Sequence, residues 1–301
     1  VPAIAVVMPV YNRAATVGPA IESVLAQDFD DFELIVVDDG SRDATCAAVS
    51  AYVDPRVKLL RQEQNRGGNA ARNRGVREAA APLIAFLDSD DVFLPHKLGF
   101  LVRYFAANPQ VDVLIDSFEL VYPPEMNKPK ATRINPALAD SAAIEEAIFA
   151  RRIFKATPAI SARKEAIVQA GLFDETLKRR QDFDLVLRLA QTARCASTDA
   201  VLWTKQWSPD AISAKHDTFV PATIELCRRH PRYLTEPAFR AGLARDTARH
   251  FARLLSKGRV GGAFGDARRL AGAFGFATLC GLLATGAGEM ARRKRDKTAP
   301  R

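Results

Sequence analysis

Five short apolar runs punctuate the first 115 residues: "IAVVM" (4–8), "ELIVV" (33–37), "VKLL" (57–60), "LIAFL" (83–87) and "VDVLI" (111–115). They are β-branched and continuous rather than alternating, which suits strands covered on both faces. Between them the period changes. Val17, Ala20, Ile21, Val24 and Leu25 make one helical stripe, and residues 69–80 and 95–107 also suit helices, the second opened by Pro95 in its first turn. This strand–helix alternation predicts an α/β chain with a doubly wound, mostly parallel sheet. Such sheets bind ligands outside the carboxyl ends of their strands.

That rule gathers the polar clusters onto one rim. "PVYNR" (9–13) follows the first run, "DDGS" (38–41) the second and "DSDD" (88–91) the fourth. "NRGGNAARNRG" (65–75) follows the third and leads into a helix, but it is neither GxGxxG nor a Walker loop. Asp88, Asp90 and Asp91 are costly to bury together, so a positive partner is expected. Hard Mg²⁺ or Mn²⁺ suits such carboxylates, with substrate phosphates completing its shell. The structural alternative has Asp90 and Asp91 capping the helix near Pro95 and Asp88 solvated. Asp38 or Asp39 is equally readable as turn chemistry. On this rim, a carboxylate beside a base could accept the imide N–H of uracil, and Tyr11 could lie against the base.

Charge is unevenly spread. The chain carries +8 overall, but residues 216–301 hold 17 Lys/Arg against 7 Asp/Glu, so the basic character is C-terminal and does not indicate nucleic acid. Cys46, Cys195, Cys227 and Cys280 are widely spaced, which fits a reducing compartment and opposes a zinc site. The opening "VPAIAVVMPVYNR" has no basic n-region, so a cytoplasmic location is expected.

After residue 115 the pattern loosens. Residues 122–137 read as a long Pro-rich loop and 140–151 as a helix. Phe183, Val186, Leu187 and Ala190 then recur at helical spacing, with Asp182 just before them as a natural N-cap.

Together, "PVYNR", "VVDDGS" with Asp43 two residues on, "NRGGNAARNRG", "LDSDD" and "QDFDLVLRL" resemble glycosyltransferase family 2, inverting nucleotide-sugar-dependent enzymes of the GT-A fold, over about residues 3–215. The resemblance implies a Rossmann-like nucleotide-sugar half (1–115), an acceptor and catalytic-base half (116–215) and a basic, helical C-terminal extension (216–301). It implies that Pro9 and Tyr11 bracket the nucleotide, Asp39 accepts from the base and Arg72 faces the nucleotide. Asp90 becomes the direct ligand of Mn²⁺ or Mg²⁺, with Asp88 near the ribose and metal shell, and Asp182 the general base. Gln181 departs from the family's usual Glu. The implied donor is a UDP-sugar and the acceptor a glycan or lipid-linked hydroxyl, as in bacterial surface-polysaccharide synthesis. Where many relatives carry a metal-proximal histidine this chain has Ser208, with His216 near in sequence. Trp203 and Trp207 could stack on sugar or fill the core.

Two other classes remain open: a sugar nucleotidyltransferase, and a non-catalytic nucleotide-sugar-binding protein. The first normally has a Gly- and basic-rich phosphate loop after its first strand, and the second has no need of Asp182. Residues 271–288 carry no charge and are rich in Gly and Ala, between Arg268–Arg269 and Arg292–Arg295. This suits either a packed helix or an in-plane or re-entrant segment held to anionic lipid through 268–295.

Overall fold

The computed structural model describes residues 1–207 and 218–298. They group into two units, Val1–Glu145 with Ile153–Pro209, and Glu146–Arg152 with Asp210–Arg301.

The first unit opens with β1 (Ile4–Val10), α1 (Val17–Leu25), β2 (Phe32–Asp38), α2 (Thr45–Ser50), β3 (Val57–Arg61), α3 (Gly68–Glu78) and β4 (Leu83–Phe86). It continues through β5 (Val92–Phe93), α4 (Lys97–Ala107), β6 (Val113–Val121), β7 (Ala131–Arg133), α5 (Ser141–Phe149), whose residues from Glu146 on belong to the second unit, β8 (Ile160–Arg163), α6 (Lys164–Gln169), α7 (Gln181–Thr192) and β9 (Cys195–Gln206). One sheet runs β3-β2-β1-β4-β8-β6-β9-β5, with β7 added beside β6. From β3 to β4 every pairing is parallel, in the expected doubly wound order. β8 is antiparallel to both neighbours, and β6 and β9 are parallel again. β1 and β2 are almost wholly buried, which is why their sequences are continuous apolar runs.

Two glycines permit close approaches. A Cβ on Gly75 of α3 would collide with Val7 Cγ1 and stand 3.3 Å from Val37 Cγ2, so glycine lets α3 lie directly on β1 and β2. Gly40, at φ 75°, would place a Cβ 2.8 Å from Asn65 N. The turn after β2 therefore packs backbone to backbone on the loop before α3.

In the other half of the sheet, fully buried Lys97 donates to Asp116 Oδ2 at 2.5 Å and to Pro158 O at 2.9 Å. Burial holds the lysine below its ordinary pKa and pushes Asp116 up to about 7. The expected loop 122–137 contains β7, whose three residues pair with the end of β6. So short an edge strand leaves little periodic trace. α4 begins at Lys97, two residues after Pro95.

The second unit is helical: α8 (Phe219–Arg229), α9 (Arg232–Thr235), α10 (Pro237–Ser256), α11 (Val260–Phe274) and α12 (Phe276–Thr298). Phe149 stacks on Phe239 with ring centroids 4.0 Å apart, and Phe219, Val220, Leu270 and Leu279 form a small core. Among the described residues no single helix is long and apolar enough to cross a membrane. α11 and residues 276–288 meet at 118°, broken at Gly275 with φ 86°.

Candidate active site

The parallel pairing sets the carboxyl ends of β1, β2, β3 and β4 along one edge, and the loops leaving them are stitched together. Asn12, left-handed at φ 51°, donates its N–H to Ser41 Oγ at 2.9 Å and accepts from Arg42 N through Oδ1 at 2.9 Å. Arg13 N donates to Thr45 Oγ1 at 2.7 Å and Ala14 N to Asp43 Oδ2 at 3.2 Å. Asp43 is thus a staple between the first two loops. Tyr11 stands at the rim, 40% exposed, and Pro9 is half-buried on β1 opposite Val37.

The two acids of "DDGS" part company. Asp38, fully buried, accepts from Ser41 N at 3.2 Å and from the Cys46 thiol at 3.2 Å, with Arg61 Nε 3.6 Å away. Asp39 Oδ1 accepts from Gln62 Nε2 at 2.7 Å and Arg66 N at 2.8 Å, and Oδ2 from Gly67 N at 2.8 Å. Of the roughly four acceptor positions of a carboxylate, three are filled from within, leaving one on Oδ2.

The acid cluster after β4 is partly answered by the chain itself. Arg72 Nη2 meets Asp88 Oδ1 at 2.6 Å, with its guanidinium 5.6 Å from the centre of the Phe173 ring. Asp91 is buried, accepts from Gln206 N at 3.0 Å and lies 3.6 Å from Lys205 Nζ. Burial, helped by Asp88 and Asp90, pushes it up to about 8 against the pull of Lys205. Asp91 therefore locks this loop to β9 and is no helix cap, since α4 starts six residues later. Asp90 is different. Its carboxylate, half-buried, makes no ion pair or hydrogen bond with another residue among those described. Burial first and Asp88 second raise its pKa, while Lys205 and Arg13 pull the other way.

Asp182 is the second residue of α7, after Arg180 at φ 63°, so it is not the N-cap. Its Oδ1 accepts from the adjacent Phe183 N at 2.8 Å. Asp184, the other acid of "QDFD", is buried and paired with Arg188 at 2.7 Å. Gln181 Oε1 is buried without a hydrogen-bond partner. The segment leading to α7 hangs on α3. Asn69 Nδ2 donates to Asp174 O at 2.7 Å and Leu177 O at 2.8 Å, while Asn73 exchanges hydrogen bonds with both Phe173 N and O. Arg66 adds an ion pair to Glu175 at 3.0 Å.

Asn69, Asn73, Arg13 and Lys205 are the residues that sequence reasoning missed. The asparagines had a signal, two amides one helical turn apart on a face that is otherwise buried. Lys205 had none, because only the pairing of β5 with β9 brings it to Asp91. Trp203 is fully buried and stacked on Phe118 at 4.4 Å, so it belongs to the core, while Trp207 is 37% exposed. His96 is exposed before α4, and His250 stacks on Phe219 and bonds Asp266 at 2.7 Å. Ser208 and His216 lie outside the described residues. Among the described residues no group of three or more His, Cys, Asp or Glu converges as a metal cage.

The loops leaving β1, β2 and β4 thus share one rim, which carries the acid loop 88–91, and α7 carries Asp182. The family model for glycosyl transferase family 2 matches residues 5–165, and the chain belongs to that family. It is 38% identical to the succinoglycan biosynthesis protein ExoO of Rhizobium meliloti over 205 residues, 65% of this chain and 58% of that protein. It is 36% identical over 118 residues to an Escherichia coli protein named UDP-Glc:alpha-D-GlcNAc-diphosphoundecaprenol beta-1,3-glucosyltransferase, covering 39% of this chain and 46% of that one. The chain thus spans about half the length of these curated relatives. Staphylococcus aureus TarS 1-349 in complex with UDP-GlcNAc superposes with a TM-score of 0.66 at 21% identity, covering 83% of this chain and 73% of that one. The expected GT-A-type fold with C-terminal helices is the observed one.

Proposed function

We propose that this chain is an inverting glycosyltransferase that moves a sugar from a UDP-sugar to a hydroxyl of a glycan or lipid-linked acceptor. The carrying observation is Asp90, a half-buried carboxylate without a partner of its own on the rim that gathers the β1, β2 and β4 loops. Support for the donor comes from TarS, solved with UDP-GlcNAc, and for a lipid-linked acceptor from the name of the E. coli relative. Residues 1–115 would hold the donor and 116–215 the acceptor and base.

In this reading Pro9 and Tyr11 flank the base, and the remaining acceptor position of Asp39 meets its imide N–H. Arg72 orients Asp88 toward the ribose. Asp90 and Asp88 would hold Mn²⁺ or Mg²⁺; an all-oxygen pair of carboxylates, with no third protein ligand among the described residues, fits an ion that takes the rest of its shell from phosphate and water. Such an ion, when bound, screens the charge of the leaving diphosphate. Asp182 takes the proton of the acceptor hydroxyl as its oxygen attacks the anomeric carbon. The new C–O bond forms on the face opposite the departing diphosphate, so configuration inverts. Gln181 leaves one negative charge fewer beside that base than the family's usual Glu.

The test is UDP release from a panel of UDP-sugars with Mn²⁺, with and without acceptor glycans. Asp182→Asn is expected to lower turnover by about 10²–10⁴ with UDP affinity unchanged. Pyrophosphate release from a nucleoside triphosphate and sugar phosphate would establish a nucleotidyltransferase instead. Tight UDP-sugar binding without turnover on any acceptor would establish a binding protein.

The tail supplies the remaining partner. Phe264 and Phe276 are 75% and 74% exposed beside the Gly275 bend, close in sequence to Arg268 and Arg269. We assign residues 268–295 to an anionic membrane surface on the cytoplasmic face of the inner membrane, where a lipid-linked acceptor resides.

A further inference from the structure

We propose that Phe154 and Arg133 form the docking platform for the acceptor sugar. Phe154 stacks on its ring, and Arg133 reads an anionic group, phosphate or carboxylate, carried beside that ring. The inference rests on the reading of residues 116–215 as the acceptor half, and it names the recognition chemistry there.

The platform is built from three strands and one loop. Antiparallel pairing sets Arg133 of β7 opposite Phe118 of β6, so the two side chains leave one face of the sheet. Phe118 is in register with Trp203 of β9 and stacks on that buried ring, centroids 4.4 Å apart. Phe154 stands edge-on to Phe118 at 6.3 Å, and the Arg133 guanidinium lies 5.6 Å from the centre of the Phe154 ring. Phe154 is thus the outer ring of an aromatic stack, 38% exposed.

The backbone beneath it is fixed. Asn135, fully buried, accepts from Phe154 N at 2.7 Å and donates to Phe154 O at 3.2 Å. Its Nδ2 also donates to Asp116 O at 2.7 Å, and its own N–H to Ser117 Oγ at 2.8 Å. A lone exposed phenylalanine needs no explanation. This one is held by a buried, hydrogen-bonded amide, and a preplaced ring binds at lower entropic cost. The charge beside it is unanswered. Among the described residues the Arg133 side chain makes no ion pair or hydrogen bond. The two acids of β6 have partners of their own, Asp116 in Lys97 and Glu119 in Lys130 at 3.3 Å.

The position points to the acceptor. Lys155, the next residue, sets its Nζ 4.3 Å from the centre of the Phe183 ring, and Phe183 follows Asp182 in α7. The segment bearing Phe154 is therefore laid against the start of the helix that carries the proposed base. The ligand chemistry is that of a charged sugar. A sugar ring offers its C–H groups to an aromatic face, while a guanidinium pairs phosphate or carboxylate through two parallel N–H bonds.

Three probes that share one ring test this: glucose 1-phosphate, glucuronic acid and neutral methyl glucoside. Their binding is measured by ligand-observed NMR titration, with UDP and Mn²⁺ present to fill the donor rim. The wild-type chain should bind the better anionic probe at least about tenfold more tightly than methyl glucoside. Arg133→Gln should bring the two within about threefold, and Phe154→Ala should weaken all three probes by about three- to tenfold. Phe154→Leu keeps an apolar contact for Phe118 without a flat face; it should weaken them likewise, and it serves if Phe154→Ala does not fold. UDP affinity should stay unchanged in every variant. A tighter glucose 1-phosphate identifies a glycosyl phosphate as the acceptor, and a tighter glucuronic acid identifies an acidic glycan; both support the platform. Equal affinity for neutral and anionic probes, no binding of any probe, a preference that survives in Arg133→Gln, or a Phe154→Leu variant that binds like wild type overturns it. A wild-type chain that neither binds UDP with Mn²⁺ nor releases it from any UDP-sugar overturns instead the reading on which the platform rests.

Discussion

Replacing Lys97 with methionine tests the physical account of the sheet's second half. Lys97 and Asp116 are both fully buried, and Asp116 Oδ1 has no hydrogen-bond partner even in the intact chain. Methionine keeps most of the lysine's volume but removes the donor to Asp116 Oδ2 and to Pro158 O. An uncompensated buried carboxylate then remains, at a cost of about 3–5 kcal/mol. For a unit of this size that is a fall of on the order of 10 °C in Tm.

The pH dependence follows from proton counts. With both partners present, the folded pair shares one proton, whether it sits on Lys97 or Asp116, and the unfolded pair also holds one between about pH 4 and 10. The pair therefore adds no slope. In Lys97→Met both influences of Lys97 that lower the Asp116 pKa disappear and only the smaller one of Trp203 remains, so it rises above about 7. The folded state then binds a proton that the unfolded state does not, and stability falls as pH rises from 5 to 8. Thermal melts at pH 5, 6, 7 and 8 read this directly, and Lys97→Met/Asp116→Leu should regain most of the loss without the slope. A Lys97→Met melt equal to wild type, or one that rises with pH, refutes the reasoning.

Three further expectations concern α3 and the tail. Gly75→Ala forces a methyl into Val7 and Val37 and should cost about 1–3 kcal/mol, seen as a lower denaturant midpoint. Asn73→Ala orphans Phe173 N and O, and should lower turnover more than UDP affinity by loosening the segment that leads to Asp182. The 301-residue chain should co-sediment with anionic but not neutral vesicles, less so at high salt and not after truncation at residue 257. Protein that stays in the supernatant at low salt returns the tail to helix packing.

The half of the fold that was legible is the half in which sequence period and burial coincide. β1, β2 and β4 announce themselves because both faces are covered, and the rim follows because parallel strands end on one side. β7 and β5 were not legible, since two or three residues at a sheet edge carry no period. β5 mattered most, because it brings Lys205 to Asp91. The three acids were read as awaiting one positive partner. The structure divides them: Arg72 answers Asp88, Lys205 and Gln206 hold Asp91, and Asp90 makes no ion pair or hydrogen bond with another residue among those described. Long-range pairing of this kind has no local trace in a chain. Asp182 was equally readable as a cap, and only the start of α7 at Gln181 removed that role.

The central claim is that Asp90 carries the metal-bound diphosphate of a nucleotide donor, and calorimetric titration of UDP tests it most directly. Wild-type chain and Asp90→Asn should each be titrated in Mn²⁺ and in EDTA, with circular dichroism to verify folding. The account predicts wild-type binding that EDTA weakens by at least about tenfold, a 1.4 kcal/mol difference, and no such Mn²⁺ dependence in Asp90→Asn. A folded Asp90→Asn variant that keeps tight, Mn²⁺-dependent UDP binding would contradict it.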